Sequence, residues 1–189
     1  MQTIVGFEGP SAPPPQFLPD SHYEVVDGQV IETQPISARA VVIANRISQK
    51  IANHAESKKL GFAAMELLFR LPLPKERQRR PDVAFVSSER WPMETLPPET
   101  DNALAVVPDL FVEVVSPTDL AEDIHEKLHE YFTAGARQVW IVYPNRGMIE
   151  IFESPVQSRW LSRNDVLEGI SFLPDFRLPL LQIFGPAPD

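Results

Sequence analysis

PDLFVEVVSPTDLAEDIHEKLHEY, which spans residues 108–131, is the stretch that decides the predicted architecture of this chain. Its first part, LFVEVV at residues 110–115, reads as a buried strand, and the Ser116-Pro117 pair ends it before a helix begins. Because side chains of a strand alternate between its faces, Glu113 falls among apolar neighbours on a strand covered on both sides. An ionised carboxylate is very costly to bury alone. We therefore expect a lysine, an arginine or a metal ion beside Glu113.

The helix that follows offers a cation in the right place. Asp119 paired with Glu122, or Thr118 in their stead, is predicted to cap its start. Its apolar residues recur at helical spacing and are Leu120, Ile124, Leu128, Tyr131 and Phe132. At about 100° per residue, Lys127 falls beside this stripe, so its ammonium can reach inward toward Glu113. The alternative is that Lys127 extends from the edge of the stripe into water, the ordinary behaviour of long cationic side chains.

Composition excludes several classes of protein. The 189 residues suit one domain with a sizeable core, and 43% of them are hydrophobic. No cysteine is present, which rules out disulfides and thiolate metal sites. No apolar run approaches the roughly 20 residues of a membrane span, and the first residues lack the pattern of a signal peptide. We therefore expect a cytoplasmic protein that does not enter a membrane.

Charge is distributed unevenly along the chain. A net charge of −9 counts against tight non-specific DNA binding but leaves room for a local basic groove. A cluster of basic residues, KERQRR at residues 75–80, comes just before Asp82, which begins an apolar strand. A phosphodiester that approaches Asp82 would meet Arg77, Arg79 or Arg80. The alternatives are that the basic run is a solvated loop and that Asp82 is only a turn residue or cap.

The N-terminal half predicts an arm, a hairpin, a helix and a strand. Residues 1–20 contain five prolines and form a proline-rich extended arm. Residues 23–32 form a hairpin around the Asp27-Gly28 turn. Ser37 caps a helix whose apolar stripe continues to about Asn53. Residues 61–73 are then predicted to be a strand.

After the central stretch, the pattern returns to strands. Gly135 is the expected cap at the end of the helix. Residues 139–143 predict a buried strand, and residues 148–152 predict its antiparallel neighbour. Short strands are expected around residues 160–161 and 170–173. The apolar residues 178–184 cover either a core edge or a subunit contact, within a predicted domain that runs from residue 21 to residue 185 before a tail at 186–189.

Asp82, Glu113 and Lys127 together make a set of two carboxylates and a lysine that suits hydrolysis of a phosphodiester. The carboxylates supply the hard oxygen ligands that Mg²⁺ prefers. Bound Mg²⁺ polarises the phosphate and lowers the pKa of a bound water. The lysine helps to position or deprotonate that water and offsets the developing charge.

At this point the sequence closely resembles the Uma2 family, a branch of the PD-(D/E)XK nuclease superfamily, over roughly residues 20–185. The residues that carry the resemblance are Tyr23-Glu24 through Asp27-Gly28, Arg80 to Ala84, Pro108 to Leu110, Glu113 to Pro117, Asp123, Lys127, Tyr131, Ala134-Gly135, Val139 to Val142, Leu167 to Gly169 and Leu173 to Phe176. The resemblance implies an α+β fold of α/β/α type, with a restriction-endonuclease-like core and a mixed central sheet flanked by helices. It also implies an endonuclease that hydrolyses DNA with Mg²⁺ or Mn²⁺.

The resemblance further implies roles for single residues. Asp82 and Glu113 would be the metal ligands, together with a backbone carbonyl near Val114, and Lys127 would be the catalytic base or the charge stabiliser. Ser116, Asp123 and Tyr131 would support these groups without binding the metal. The alternative for Ser116 is a turn and cap residue, because serine before proline favours the start of a turn.

Two departures from the family pattern stand out. Val115 occupies the position where the superfamily places its lysine, so the resemblance implies that Lys127 replaces that lysine. No histidine occurs at residues 37–40, where relatives often carry one, so no role for it is carried over.

Three alternatives stay open at the level of sequence. The net charge of −9 and the lack of an attached specificity domain fit a catalytically idle, oligomeric DNA-binding or regulatory module that keeps the nuclease fold. RNA is the other candidate substrate. The third concerns assembly: the apolar C-terminal segment and the proline-rich arm suggest a homodimer, which suits an enzyme that cuts both strands.

Overall fold

A computed structural model describes residues 22–33, 37–97 and 102–187. The predicted arm, residues 1–20, lies outside the described residues. The described elements are, in chain order, β1 (Tyr23–Val26), β2 (Gln29–Glu32), α1 (Ala38–Lys58), β3 (Gly61–Met65), β4 (Phe69–Leu71), β5 (Arg77–Arg79), β6 (Val83–Ser87), β7 (Leu110–Val114), α2 (Ala121–Ala134), β8 (Gln138–Tyr143), β9 (Met148–Ser154), β10 (Gln157–Ser162), β11 (Val166–Leu167), β12 (Leu178–Pro179) and α3 (Leu181–Phe184).

A six-stranded mixed sheet with the order β10-β9-β8-β7-β6-β3 forms the centre of the protein. β7 and β8 run parallel and are joined by α2, whereas the other neighbouring strands of this sheet run antiparallel. A four-stranded sheet with the order β2-β1-β5-β4 and a two-stranded sheet of β11 and β12 complete the fold. The predicted α+β class, with a mixed central sheet flanked by helices, is confirmed.

Each face of the six-stranded sheet carries its own apolar core. α1 and the C-terminal segment cover one face, and the buried side chains there include Ile47, Val112, Trp140, Leu180 and Ile183. α2 and β4 cover the other face, and the buried side chains there include Phe69, Phe111, Leu128, Tyr131 and Ile141. The alternation along β7 therefore places Glu113 on the α2 face, between Phe111 and Val115. The apolar C-terminal segment covers an edge of the core.

Local sequence signals located several elements correctly. Asp27 and Gly28, both with positive φ, turn the chain between β1 and β2. The Ser37 hydroxyl accepts a hydrogen bond from the Ala40 N–H at the start of α1. Gly135 ends α2 in the left-handed conformation. β8 and β9 pair antiparallel, as predicted.

Three element predictions were wrong. The strand expected at residues 61–73 is broken at Glu66, whose φ of 49° turns the chain out of the six-stranded sheet, and β4 joins the four-stranded sheet instead. Residues 170–173 form turns whose apolar side chains reach the core, not a strand. α2 begins at Ala121 without a side-chain cap, because the Asp119 carboxylate instead accepts the Ser116 N–H at 2.8 Å.

Within the described residues, no helix combines the length and the apolar character that crossing a membrane requires.

Candidate active site

Asp82 and Glu113 face each other at one end of the β6–β7 strand pair. Val83 lies opposite Val112 in this antiparallel pair, so the next residue on each strand is Asp82 opposite Glu113. The Asp82 Oδ2 accepts a hydrogen bond from the Val114 N–H at 2.6 Å, which fixes the carboxyl against β7. Burial and the neighbouring charge of Glu113 raise the pKa of Asp82 to about 7. The protein therefore holds two carboxyl groups where both can be ionised only at a cost.

Glu113 has a partner on each of its oxygens. The Tyr131 hydroxyl donates a hydrogen bond to Oε1 at 2.5 Å, and the Lys127 Nζ lies 3.6 Å from Oε2. The Tyr131 ring stacks on Phe111, with ring centroids 3.8 Å apart, so the hydroxyl is held in place by packing. Burial raises the pKa of Glu113. The partner that the buried carboxylate was expected to need is thus a lysine together with a tyrosine.

Lys127 points into the protein, between two carboxylates. Its Nζ lies 2.9 Å from Glu24 Oε1 on β1 as well as 3.6 Å from Glu113 Oε2. Burial by itself would lower the pKa of Lys127, but Glu113 and Glu24 outweigh it and raise that pKa. Lys127 is therefore an ammonium at neutral pH, and the alternative in which it extends into water does not describe this structure.

Glu24 is the site residue that the sequence reasoning missed. Its carboxylate accepts from the Arg80 N–H at 3.1 Å and from Arg79 Nη1 at 2.8 Å, in addition to its contact with Lys127. Burial would raise the pKa of Glu24, but Lys127 and Arg79 lower it. In the strand YEVV, alternation places Glu24 on the face opposite Tyr23 and Val25. The sequence alone predicts that this opposite face is solvated. The arginines of residues 77–80 indicated that acidic partners were needed. Only the pairing of β1 with β5, however, shows that Glu24 is one of those partners.

The three arginines of the basic run are paired within the protein. Arg79 binds Glu130 through two hydrogen bonds of 2.7 and 3.1 Å, and it also binds Glu24. Arg77 Nε lies 3.0 Å from Glu130 Oε1, and its Nη2 donates to Asp27 at 3.0 Å. Arg80 donates to the backbone carbonyls of Tyr23 and Glu66. These residues form β5 and its end, not a solvated loop, and their contact with a DNA phosphate stays a prediction.

The remaining predicted residues differ in their placement. Tyr131 contacts Glu113 directly. Ser116 lies just past the end of β7, and its buried Oγ has no hydrogen-bond partner within the described part of the chain. Asp123 lies in the first turn of α2 on its exposed face. The structure thus brings together Asp82, Glu113, Lys127 and Tyr131, with Ser116 at the strand end, and leaves Asp123 facing outward.

The donor set fits a hard divalent cation. Across residues 22–33, 37–97 and 102–187, no three or more histidine, aspartate or glutamate side chains converge in a geometry that could hold a metal. Mg²⁺, however, is commonly held by one or two carboxylates, with water and phosphate oxygens as the other ligands. Two facing carboxyl groups with raised pKa values are an arrangement that a cation would relieve. Val114 presents its N–H toward Asp82, and the carbonyl of the same residue points to the same side of the strand.

The raised pKa of Asp82 predicts a pH dependence of stability for the metal-free protein. The folded state keeps the Asp82 proton up to about pH 7, whereas the unfolded chain releases it near its ordinary value of 3.8. Between these values the folded state binds more protons, so its free energy of unfolding falls as pH rises, by roughly 2–4 kcal/mol in total.

Chemical denaturation in EDTA across this pH window measures the effect, and Asp82→Asn is the control. The variant has no carboxyl group at position 82, so its free energy of unfolding should change less with pH than that of the natural chain. Parallel curves for the two proteins would contradict the assignment.

Comparison with known proteins identifies the family of the chain. A family model described as "Putative restriction endonuclease", Uma2, matches residues 13–181. The fold is similar to that of a "putative nuclease belonging to DUF820" from Anabaena variabilis, with a TM-score of 0.73 and 16% sequence identity over 86% of this chain and 89% of that chain. At that identity the likeness shows the fold alone. No curated protein sequence matches the chain. Because this family model matches most of the length of the chain, the chain belongs to the Uma2 family.

Proposed function

We propose that this protein is a Mg²⁺- or Mn²⁺-dependent endonuclease that hydrolyses DNA phosphodiester bonds. One observation carries the proposal: Asp82 and Glu113 face each other at the end of β7, with the Lys127 ammonium 3.6 Å from Glu113. Family membership supports a nuclease at the coarse level. Asp82, Glu113 and the Val114 carbonyl would hold the metal.

Each protein group has a separate task in this mechanism. A bound divalent cation would polarise the phosphate and lower the pKa of a water molecule. The Val114 N–H orients Asp82, and the Tyr131 hydroxyl orients Glu113, so neither carboxylate has to reorganise when substrate arrives. Lys127 stabilises the negative charge that develops on the phosphate. Because Glu113 and Glu24 raise its pKa in the metal-free protein, we assign it the role of a fixed cation, and the role of general base is the alternative.

The experiment is cleavage of plasmid and single-stranded DNA in Mg²⁺, Mn²⁺ or EDTA, with Glu113→Gln beside the natural chain. We expect cutting that requires metal and that falls in the variant by more than the roughly 10- to 100-fold that is typical when only an outer-shell partner of a metal ligand is lost. Metal binding is measured separately, by the shift in melting temperature above pH 7. Mg²⁺ at about 100 times its Kd should stabilise the natural chain by about 2.7 kcal/mol.

Other results separate the alternatives. Cutting of RNA but not of DNA would change the substrate. No cutting together with no metal binding would overturn the proposal in favour of the idle DNA-binding or regulatory module, for which the net charge of −9 is the supporting observation. The homodimer is likewise a proposal, and light scattering on the purified chain tests it.

A further inference from the structure

An aromatic pair lies on the same face of the central sheet as Glu113. The rings of Tyr143 on β8 and Trp160 on β10 are 5.2 Å apart, tilted by 30°. Registers across the sheet align Glu113 with Ile141, Ile141 with Glu150, and Glu150 with Trp160. Cross-strand partners share a face, so the candidate active site and the tryptophan lie in one row of this face, with Ile141 buried between them. It crosses three strand spacings, roughly 14 Å.

The tryptophan is exposed although it belongs to a regular strand. Trp160 is 48% exposed, and β10 is the edge of the six-stranded sheet. Tyr143 beneath it is half-buried and is packed against the core on the α2 side. The pair therefore presents a flat π surface to solvent on rigid backbone. Such surfaces are the means by which proteins stack unpaired bases, each worth about 1–3 kcal/mol.

The charges around the pair indicate where each part of a nucleotide would lie. Glu150 lies on β9, between the strands that carry Tyr143 and Trp160, and it accepts a hydrogen bond from the Ser158 hydroxyl at 2.7 Å. Because its negative charge repels a phosphate, this part of the surface favours a nucleotide base. Arg146, in the turn between β8 and β9, is exposed, and its backbone N–H donates to the Tyr143 carbonyl at 3.1 Å. None of the ion pairs among the described residues involves Arg146, in contrast to Arg77 and Arg79. It is placed to contact a phosphate at the rim.

We propose that Tyr143 and Trp160 stack unpaired bases of the DNA strand whose phosphodiester reaches Asp82 and Glu113. This inference rests on the proposed function and specifies its substrate class: single-stranded, frayed or branched DNA in preference to continuous duplex. In a duplex the bases are already stacked, so a base would first have to be extruded from the stack before it could contact the two rings.

The test measures binding without cleavage, by fluorescence anisotropy of a labelled oligothymidine and of a blunt duplex of equal length, both in EDTA. Trp160→Ala should weaken binding of the oligothymidine about 5- to 100-fold, which is the stacking energy converted to affinity. Trp160→Phe should keep most of the affinity. Val156→Ala is the matched control, because Val156 is an apolar residue, 95% exposed, in the turn of the same hairpin that joins β9 and β10.

Arg146→Gln should reduce the salt dependence of binding by about one unit in the slope of the logarithm of affinity against the logarithm of salt concentration.

The outcomes are distinct from those of the cleavage assay. The stacking surface would be overturned if the natural chain and Trp160→Ala bound oligothymidine with equal affinity, or if the natural chain did not bind it. It would also be overturned if Trp160→Ala lost as much affinity for the duplex as for the single strand. Loss of melting temperature in Trp160→Ala without loss of affinity would show that the pair serves packing alone. If no variant cuts DNA but binding still depends on Trp160, the proposed catalysis fails while the stacking surface stands.

Discussion

Lys127→Met is expected to lower kcat for DNA cleavage about 100- to 1,000-fold, the cost of removing one group that stabilises a charged transition state. Lys127 lies between Glu24 and Glu113, and its side chain is 20% exposed, so little water is available to replace its charge. Metal binding should survive, because the proposed metal ligands, Asp82 and Glu113, keep their own partners at Val114 and Tyr131. Because Lys127→Met removes a positive charge beside Glu113, it should tighten Mg²⁺ binding. Single-turnover cleavage together with isothermal titration calorimetry measures both quantities.

Two further variants make the Lys127 result specific. Lys75→Met removes a lysine that pairs with Asp27 on the exposed surface, and it should cut at the natural rate. Lys127→Arg keeps the charge and should recover part of the rate. The pH profile distinguishes the two roles of the lysine. A charge stabiliser gives the same fractional loss at every pH tested, whereas a loss confined to high pH would identify Lys127 as a base and would contradict the raised pKa.

Arg79→Met is expected to cost about 3–5 kcal/mol of unfolding free energy, the range found when one partner of a buried ion pair is removed. Arg79 is 6% exposed and neutralises two carboxylates that are themselves buried, Glu24 and Glu130. Burial would lower the pKa of Arg79, but the hydrogen bonds that it donates to Glu130 and the charge of Glu24 raise it, so the guanidinium stays charged. Without it, Glu130 keeps Arg77 as its cationic partner, and Glu24 keeps Lys127 and the Arg80 N–H. Urea denaturation measures the loss.

The double variant Arg79→Met, Glu130→Met provides the matched control. It removes the charge on both sides of the bidentate pair and replaces the two with apolar side chains of comparable length, so it should be more stable than the single variant. A single variant that loses less than about 1 kcal/mol would show that the pair behaves like an exposed one. Because Glu24 also contacts Lys127, Arg79→Met should reduce cleavage as well.

Most of the elements and part of the site follow from local patterns. The apolar run around Glu113 predicted a covered strand, and the lone acid within it predicted a buried partner; both features depend only on the period of a strand. Lys127 was in reach on the next helix because helical spacing limits which residues share a face. The break at Glu66 was not predictable in this way, since a positive φ at a non-glycine residue has little signature in sequence.

The sequence by itself determined which residues can be buried, where the chain turns, and which acids and cations are available near the end of β7. Only the tertiary structure decided how the buried charges pair. Arg79 meets Glu24 across 55 positions of sequence and Glu130 across 51, and Lys127 reaches β1 as well as β7. The reason is physical: alternation and helical spacing constrain neighbours along one element, whereas a buried charge is satisfied by whichever element packs against it. The side chains of Arg77 and Arg79 are accordingly paired inside the protein, and their contact with DNA stays a prediction. The pairing of Tyr143 with Trp160 follows only from the register of β8, β9 and β10.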